Sequence, residues 1–376
     1  MNFVLVANPA SRRVILFQAA LHGLGLPPAR LVAWADLLAG EADLTAMVRA
    51  GDVVRIESPG QEFAVERALL ALGADQPDEA GYERLAQAAV AGLSFDKGAI
   101  LYPRQWFLGL RAALALVTQQ LAACPPHRLM AAPADILVMG DKRLCHARLL
   151  AAGVPVPRAL GPVGCYDELL ATMARLRCPR VFVKLAHGSS ASGVVALQIG
   201  AGKQQAITTV ELTHGAGGPR LYNSRRLSTY TAPAEIAQII DALCRNGVHV
   251  EQWLPKAGSA GRTFDLRVVV IAGQARHTVA RLSRGPMTNL HLLNTRGTLA
   301  PIIERMGDAA WAAARGSCAA ALACFPASLY AGIDLLIGTD FRRHAILELN
   351  AFGDLLPGLL WAGEDTYTSE IRSVIL

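Results

Sequence analysis

Hydrophobic residues fall into short blocks that alternate with longer stretches of helical spacing. Phe3–Ala7 is an unbroken apolar run and reads as a strand, whereas a basic targeting segment is not evident at Met1-Asn2. Residues 11–24 read as a helix ended by Gly25 and Pro27, and 31–34 and 53–56 as further strands. Residues 61–72 read as a helix capped by Gly73, and 105–122 as a long helix stopped by Cys124-Pro125-Pro126-His127. Strands alternating with helices predict a small parallel α/β sheet, with a first boundary after residue 128.

The texture then changes. Residues 136–139 read as an apolar strand, Gly140-Asp141-Lys142 as a turn, and 143–152 as a helix stopped by Gly153 and Pro155. A hairpin follows, with strands 181–185 and 194–199 joined by the Gly/Ser loop 187–193. Residues 208–212 predict a strand, 215–218 a flexible turn, and 233–244 a helix with Ile236, Ile239, Ile240 and Leu243 on one face. Strands are expected over 248–254, 264–272 and 274–283. A helix over 304–324 then precedes a last hairpin of 329–337 and 345–349. The expected units are 1–128, 129–250 and 251–376.

Composition narrows the function classes. Of 376 residues, 52% are hydrophobic and 18% charged, which excludes general disorder. The net charge of +6 suits an anionic ligand, but the basic residues form no block, so nucleic acid is not an expected partner. Seven scattered cysteines without a Cys-x-x-Cys pair predict reduced thiols and a cytoplasmic protein. The uncharged stretches 185–202 and 316–333 are rich in Gly and Ser or broken by Pro326, so no membrane span is expected.

The candidate chemistry lies in polar residues inside apolar strands. Lys184 precedes the small-residue loop His187-Gly188-Ser189-Ser190-Ala191-Ser192-Gly193, whose backbone N–H groups can approach phosphate oxygens. A Walker loop has the opposite order, with its lysine after the glycines, so that fold is disfavoured; a plain hairpin tip with an edge lysine stays open. Asp334 lies within one strand, and Glu348 and Asn350 are two apart on the next, hence on one face. Together they offer the hard oxygen ligands that Mg²⁺ prefers; for any one acid alone, a salt bridge across the sheet is the simpler reading. Asp265 and Arg267 share a face of one strand, and Arg281, Arg284, Asn289 and His291 follow.

The order of these features resembles the ATP-grasp superfamily over residues 130 to 360. It runs Gly140-Asp141-Lys142, Val181-Phe182-Val183-Lys184 with its loop, Val250-Glu251-Gln252-Trp253-Leu254, Asp265-Leu266-Arg267, then Asp334 and Glu348-Leu349-Asn350. The stretch 265–296, with Asn289-Leu290-His291, is similar to the RimK type of carboxylate–amine ligase, which adds glutamate to a ribosomal protein. The resemblance implies a small N-terminal parallel α/β domain followed by two α+β lobes that grip ATP.

It also implies roles. Lys142 and Lys184 would touch ATP phosphates, with His187, Gly188, Ser189 and Ser190 in a loop that closes over them. Glu251 and the backbone of Gln252 and Leu254 would contact adenine, Trp253 would line that pocket, and Asn289 would belong to the same site. Asp334, Glu348 and Asn350 would hold Mg²⁺ (two ions, with Mn²⁺ as an alternative). Arg267 and Arg281 would neutralise the transferred phosphoryl group or hold the carboxylate substrate. The implied activity is ATP-dependent ligation of a small-molecule or peptide carboxylate to an amine (or thiol) through an acylphosphate. A phosphotransferase and a nucleotide-binding protein without ligase activity are the alternatives, and a homodimer is the default assembly. After Asn350 the chain departs from many relatives, reading Ala351-Phe352-Gly353-Asp354, where Asp354 offers either an amine-binding acid or a turn cap.

Overall fold

Parallel pairing of the most apolar strands builds the first sheet of the computed structural model, which describes residues 1–375 other than 79, 80, 201, 216, 217 and 260. Strands β1 (Phe3–Ala7), β2 (Arg30–Ala33), β3 (Val53–Ile56) and β4 (Arg128–Leu129) run in the order β2-β1-β3-β4, all parallel. β1 is buried along its whole length, as a parallel strand covered on both faces must be. Val4 and Val6 pack with Leu69 and Leu110, and Phe3 and Leu5 with Phe17 and Tyr367. Gly73 does not cap its helix. It lies inside helix Phe63–Ala74, where an added Cβ would sit 2.0 Å from Gln105 O, and one on Gly109 would sit 1.8 Å from Leu69 O. Two helices cross there with their backbones touching, which only glycine permits.

The second sheet is antiparallel, in the order β8-β7-β6-β5-β9. Its strands are β5 (Arg180–Leu185), β6 (Val194–Gly200), β7 (Lys203–Gly215), β8 (Gly218–Tyr230) and β9 (Val248–Gln252). Helix Pro233–Cys244 covers one face with Ile236, Ile239, Ile240 and Leu243, as its spacing predicts. Of the turn expected over 215–218, residues 216 and 217 lie outside the described ones; Gly215 faces Gly218 in the ladder. β8 had no signature in the sequence because it is a polar edge strand carrying Arg220, Asn223, Ser224, Arg225 and Arg226.

The third sheet holds β10 (Gly258–Ser259), β11 (Arg262–Ile271), β12 (Gln274–Ser283), β13 (Thr295–Gly297), β14 (Tyr330–Ile337) and β15 (His344–Asn350). The order is β13-β12-β11-β14-β15, with β10 on β11 and every pairing antiparallel. One expected strand is a helix instead: 136–139 falls within helix Pro133–Gly140. Four apolar residues fit either state, and Pro133 in the first turn with Ile136 and Met139 buried one turn apart decides for helix. Trp34 likewise opens a short helix, Trp34–Ala39, rather than ending β2. Helix Thr366–Ile375, not foreseen, buries Tyr367 and Ile371 beside the first sheet. Among the described residues, no helix is long and apolar enough to cross a membrane.

Candidate functional site

The second and third sheets face one another across a cleft of about 640 Å³. Lys142 joins its walls. Asp141 caps helix Lys142–Ala151 by accepting from Arg143 N and Leu144 N, which fixes the start of Lys142. Lys142 N donates to Ala186 O at 3.0 Å and Nζ to Gly188 O at 2.6 Å, pinning the small-residue loop. The same Nζ lies 2.8 Å from Glu348 Oε1 on β15. His187, at the loop's start, sits 2.9 Å from Asp141 Oδ2, and its ring stacks on Phe107 with centroids 4.2 Å apart. Burial outweighs the Asp141 carboxylate and brings the imidazole down to about 4.

On the second sheet, Lys184 of β5 reaches Glu251 of β9 at 2.5 Å. Burial opposes both charges, yet the pair prevails: Lys184 is raised, and Glu251, which also meets His249, falls to about 2. On the third sheet the charges alternate along the cleft floor. Lys256 Nζ lies 3.0 Å from Asp265 Oδ2, and Arg281 Nε lies 2.7 Å from Asp265 Oδ1. Arg281 Nη2 then reaches Asp334 Oδ2 at 3.1 Å, and Arg267 Nε reaches Asp334 Oδ1 at 2.5 Å. Arg267 Nη1 ends the row by donating to Gly353 O at 3.1 Å. Burial works against Asp265 and Asp334, but the arginines (and Lys256 for Asp265) hold both carboxyls below their usual range. The salt bridges expected for an acid in an apolar strand are therefore present at Asp334.

Fifteen of the sixteen residues given a role by the resemblance line this one cleft. They are Lys142, Lys184, His187, Gly188, Ser189, Ser190, Glu251, Gln252, Leu254, Arg267, Arg281, Asn289, Asp334, Glu348 and Asn350. Trp253 does not; it packs on Phe182 at 5.4 Å with the Arg180 guanidinium 4.2 Å from its ring. Gln252 N donates to Arg158 O at 2.8 Å, and the Glu251 carboxylate meets Lys184 through Oε1 and His249 through Oε2.

No family model matches the chain, and no curated protein does. Solved structures match over its whole length. The D-cycloserine synthetase DcsG has a TM-score of 0.55 at 16% identity, covering 100% of this chain and 98% of its own. The ATP-grasp ligase PsnB complexed with a minimal precursor has 0.52 at 15%, covering 100% and 99%. A RimK domain ATP-grasp protein from Sphaerobacter thermophilus DSM 20745 has 0.50 at 14%, covering 100% of both chains. The chain has the ATP-grasp fold.

Within the ATP-grasp frame the donor set can be tested against a divalent cation. Asp334 faces Glu348 across the β14–β15 ladder, and Asn350 faces Gly332 two residues along. Asn350 donates from its amide nitrogen to Gly332 O at 3.3 Å, which leaves the amide oxygen as the ligating end. Two carboxylates and an amide oxygen suit Mg²⁺ shared with phosphates. Among the described residues there is no cluster of three or more His, Cys, Asp and Glu side chains that would form an all-protein metal cage.

Two features escaped the sequence. Lys256 also donates to Thr288 Oγ1 at 2.8 Å, and a lysine after Pro255 in a loop has no pattern to betray it. The Asp354 carboxylate is engaged by two arginines of the protein itself. It is fully buried, 2.6 Å from Arg13 Nη1 and 2.5 Å from Arg55 Nη2, and Arg55 also meets Glu57 and Glu370 at 2.6 Å each. That network holds the 351–354 turn, and hence Gly353 O, against the Arg267 guanidinium.

Proposed function

We propose that the chain is an ATP-dependent carboxylate–amine ligase that activates its carboxylate as an acylphosphate. The observation that carries this reading is that Lys142 and Lys184 line the same cleft as Asp334, Glu348 and Asn350, with Arg267 and Arg281 paired to Asp334. Lysines on one wall suit the triphosphate as point charges, and arginines on the floor suit a planar oxyanion. Lys142 and Lys184 hold the phosphates, the loop at 188–192 closes over them, and Arg267 and Arg281 offset charge on the phosphoryl oxygens as it spreads. Asp334, Glu348 and Asn350 would hold Mg²⁺ (two ions, or Mn²⁺ in its place), which when bound screens phosphate charge. A substrate carboxylate oxygen attacks the γ-phosphorus, the bond to the bridging β,γ-oxygen breaks, and ADP leaves. The amine then attacks the acyl carbon, inorganic phosphate departs with the C–O bonding pair, and the ammonium proton is lost to water. Burial of the floor restricts the water that otherwise hydrolyses an acylphosphate.

The fold of PsnB, seen with its precursor, and of the macrocyclase MdnC from Microcystis aeruginosa MRC, bound with precursor peptide MdnA, supports a peptide or small amino acid as substrate. A further structure of PsnB with Mg and ADP supports the nucleotide and ion. The three units would be 1–128, 129–250 and 251–376, and the free thiols fit a cytoplasmic setting.

The deciding experiment follows ADP release from ATP and Mg²⁺ with pooled amino acids and dipeptides, with mass spectrometry of the products. A new amide, lost in Lys184→Ala, is expected. A stable phosphorylated product would instead mark a phosphotransferase, and ATP binding without turnover on any acceptor would remove the ligase reading.

A further inference from the structure

Lys184 has a flexible four-carbon stem and needs something to fix where its ammonium stands. Glu251 is the direct partner at 2.5 Å, and Glu251 is itself held: His249 Nε2 lies 3.2 Å from its second oxygen, Oε2. A carboxylate only accepts, so the imidazole donates from Nε2. His249 and Glu251 are two apart on β9 and point to one face, and His249 stands directly across the ladder from Lys184.

The wall behind them leaves no slack. The His146 ring lies 5.0 Å from that of His249, and His146 Nε2 donates to Pro157 O at 2.7 Å. The space among Lys142, Lys184, His249, Glu251 and Glu348 is about 10 Å³, room for one water at most. His249 is 6% and Glu251 2% exposed, so neither carries out recognition at the surface.

We propose that His249 is a positioning residue, which orients Glu251 so that Glu251 presents Lys184 to a phosphate in the cleft. Glu251 then serves the lysine rather than the adenine. This rests on the reading of the cleft as a nucleotide site, and the experiment separates the two.

The probe is ADP with Mg²⁺, titrated calorimetrically into the whole chain, with a thermal melt of every variant. His249→Leu is expected to weaken ADP binding about tenfold, the scale of one charge-assisted hydrogen bond, while the melting temperature stays within a few degrees. His249→Gln, which keeps a terminal N–H donor, is expected to restore binding to within about threefold. In a Glu251→Gln background, adding His249→Leu should cost nothing more, since the two act as one unit. Wild-type affinity in folded His249→Leu, with binding lost in Lys184→Ala, overturns the role of His249 alone. Should His249→Leu fail to fold, His249→Ala takes its place, and additivity of its loss with that of Glu251→Gln overturns it equally. Wild-type affinity in Lys184→Ala as well removes the nucleotide reading itself.

Discussion

The ammonium of Lys142 lies 2.8 Å from the carboxylate of Glu348, the one at the first position of a helix and the other on β15 of the third sheet. Both groups line the cleft, and the same ammonium donates to Gly188 O of the small-residue loop.

Glu348→Gln should therefore act on chemistry and not on folding. The pair is partly exposed, and such pairs contribute about 0–1 kcal/mol. ADP release should fall by about two orders of magnitude, as for loss of one preorganised electrostatic group, with a melting temperature unchanged within a few degrees. Steady-state kinetics and a thermal melt check it, and turnover near wild type removes Glu348 from the site.

Arg281 presents the opposite case. It separates two buried carboxylates, and Arg281→Met leaves Asp265 and Asp334 facing each other across the space. The expected loss is about 3–5 kcal/mol, read as a lowered urea midpoint at unchanged slope. Adding Asp265→Asn to the same chain should recover part of it, because the repulsion then disappears.

Acid should weaken the fold in two windows. His187 stays neutral until about 4 in the fold against a usual 6.5, so between those values the unfolded chain takes the proton and stability falls. Glu251 is lowered from 4.5 to about 2, so its stabilising share is complete above 4.5 and is lost as pH falls toward 2. Urea titrations at pH 7, 5 and 3.5 should show His187→Gln losing less stability than wild type from 7 to 5. Glu251→Gln should show the same relative protection from 5 to 3.5. Parallel losses in all three proteins would contradict the assignment.

Gly332 and Gly353 touch through their backbones. A Cβ on Gly332 would lie 2.3 Å from Gly353 O, the oxygen that anchors Arg267. Gly332→Ala should destabilise by about 1–3 kcal/mol and lower turnover beyond what that loss explains, since the turn must move. A thermal melt and ADP release on the folded fraction distinguish the two effects.

Legibility followed a simple physical line. Lys184, Arg267, Asp334 and Glu348 were visible because each interrupts an apolar strand, where a charge without a partner is too costly to keep. The hairpin of β5 and β6 and the helix over 233–244 announced themselves through pattern and small-residue turns. β8 stayed hidden because an edge strand buries too little to impose alternation, and helix Pro133–Gly140 because four apolar residues have no period. The partners were out of reach for a different reason: Arg55 and Asp354 lie 299 positions apart, and only the stacking of the first sheet on the 351–354 turn brings them together. The pairing of Glu251 with Lys184 was hidden likewise, since the lysine belongs to another strand.

The arginine at the middle of β3 has an evolutionary and practical corollary. Arg55 neutralises Asp354 and Glu370, both near the far end of the polypeptide, so the leading α/β portion is stitched to the trailing segment and cannot be exchanged as a free module. A hybrid that borrows its opening sheet from another member of this architecture inherits two stranded acids unless the donor brings a cation to the same spot. Any exchange of that portion must therefore drag the trailing segment along with it.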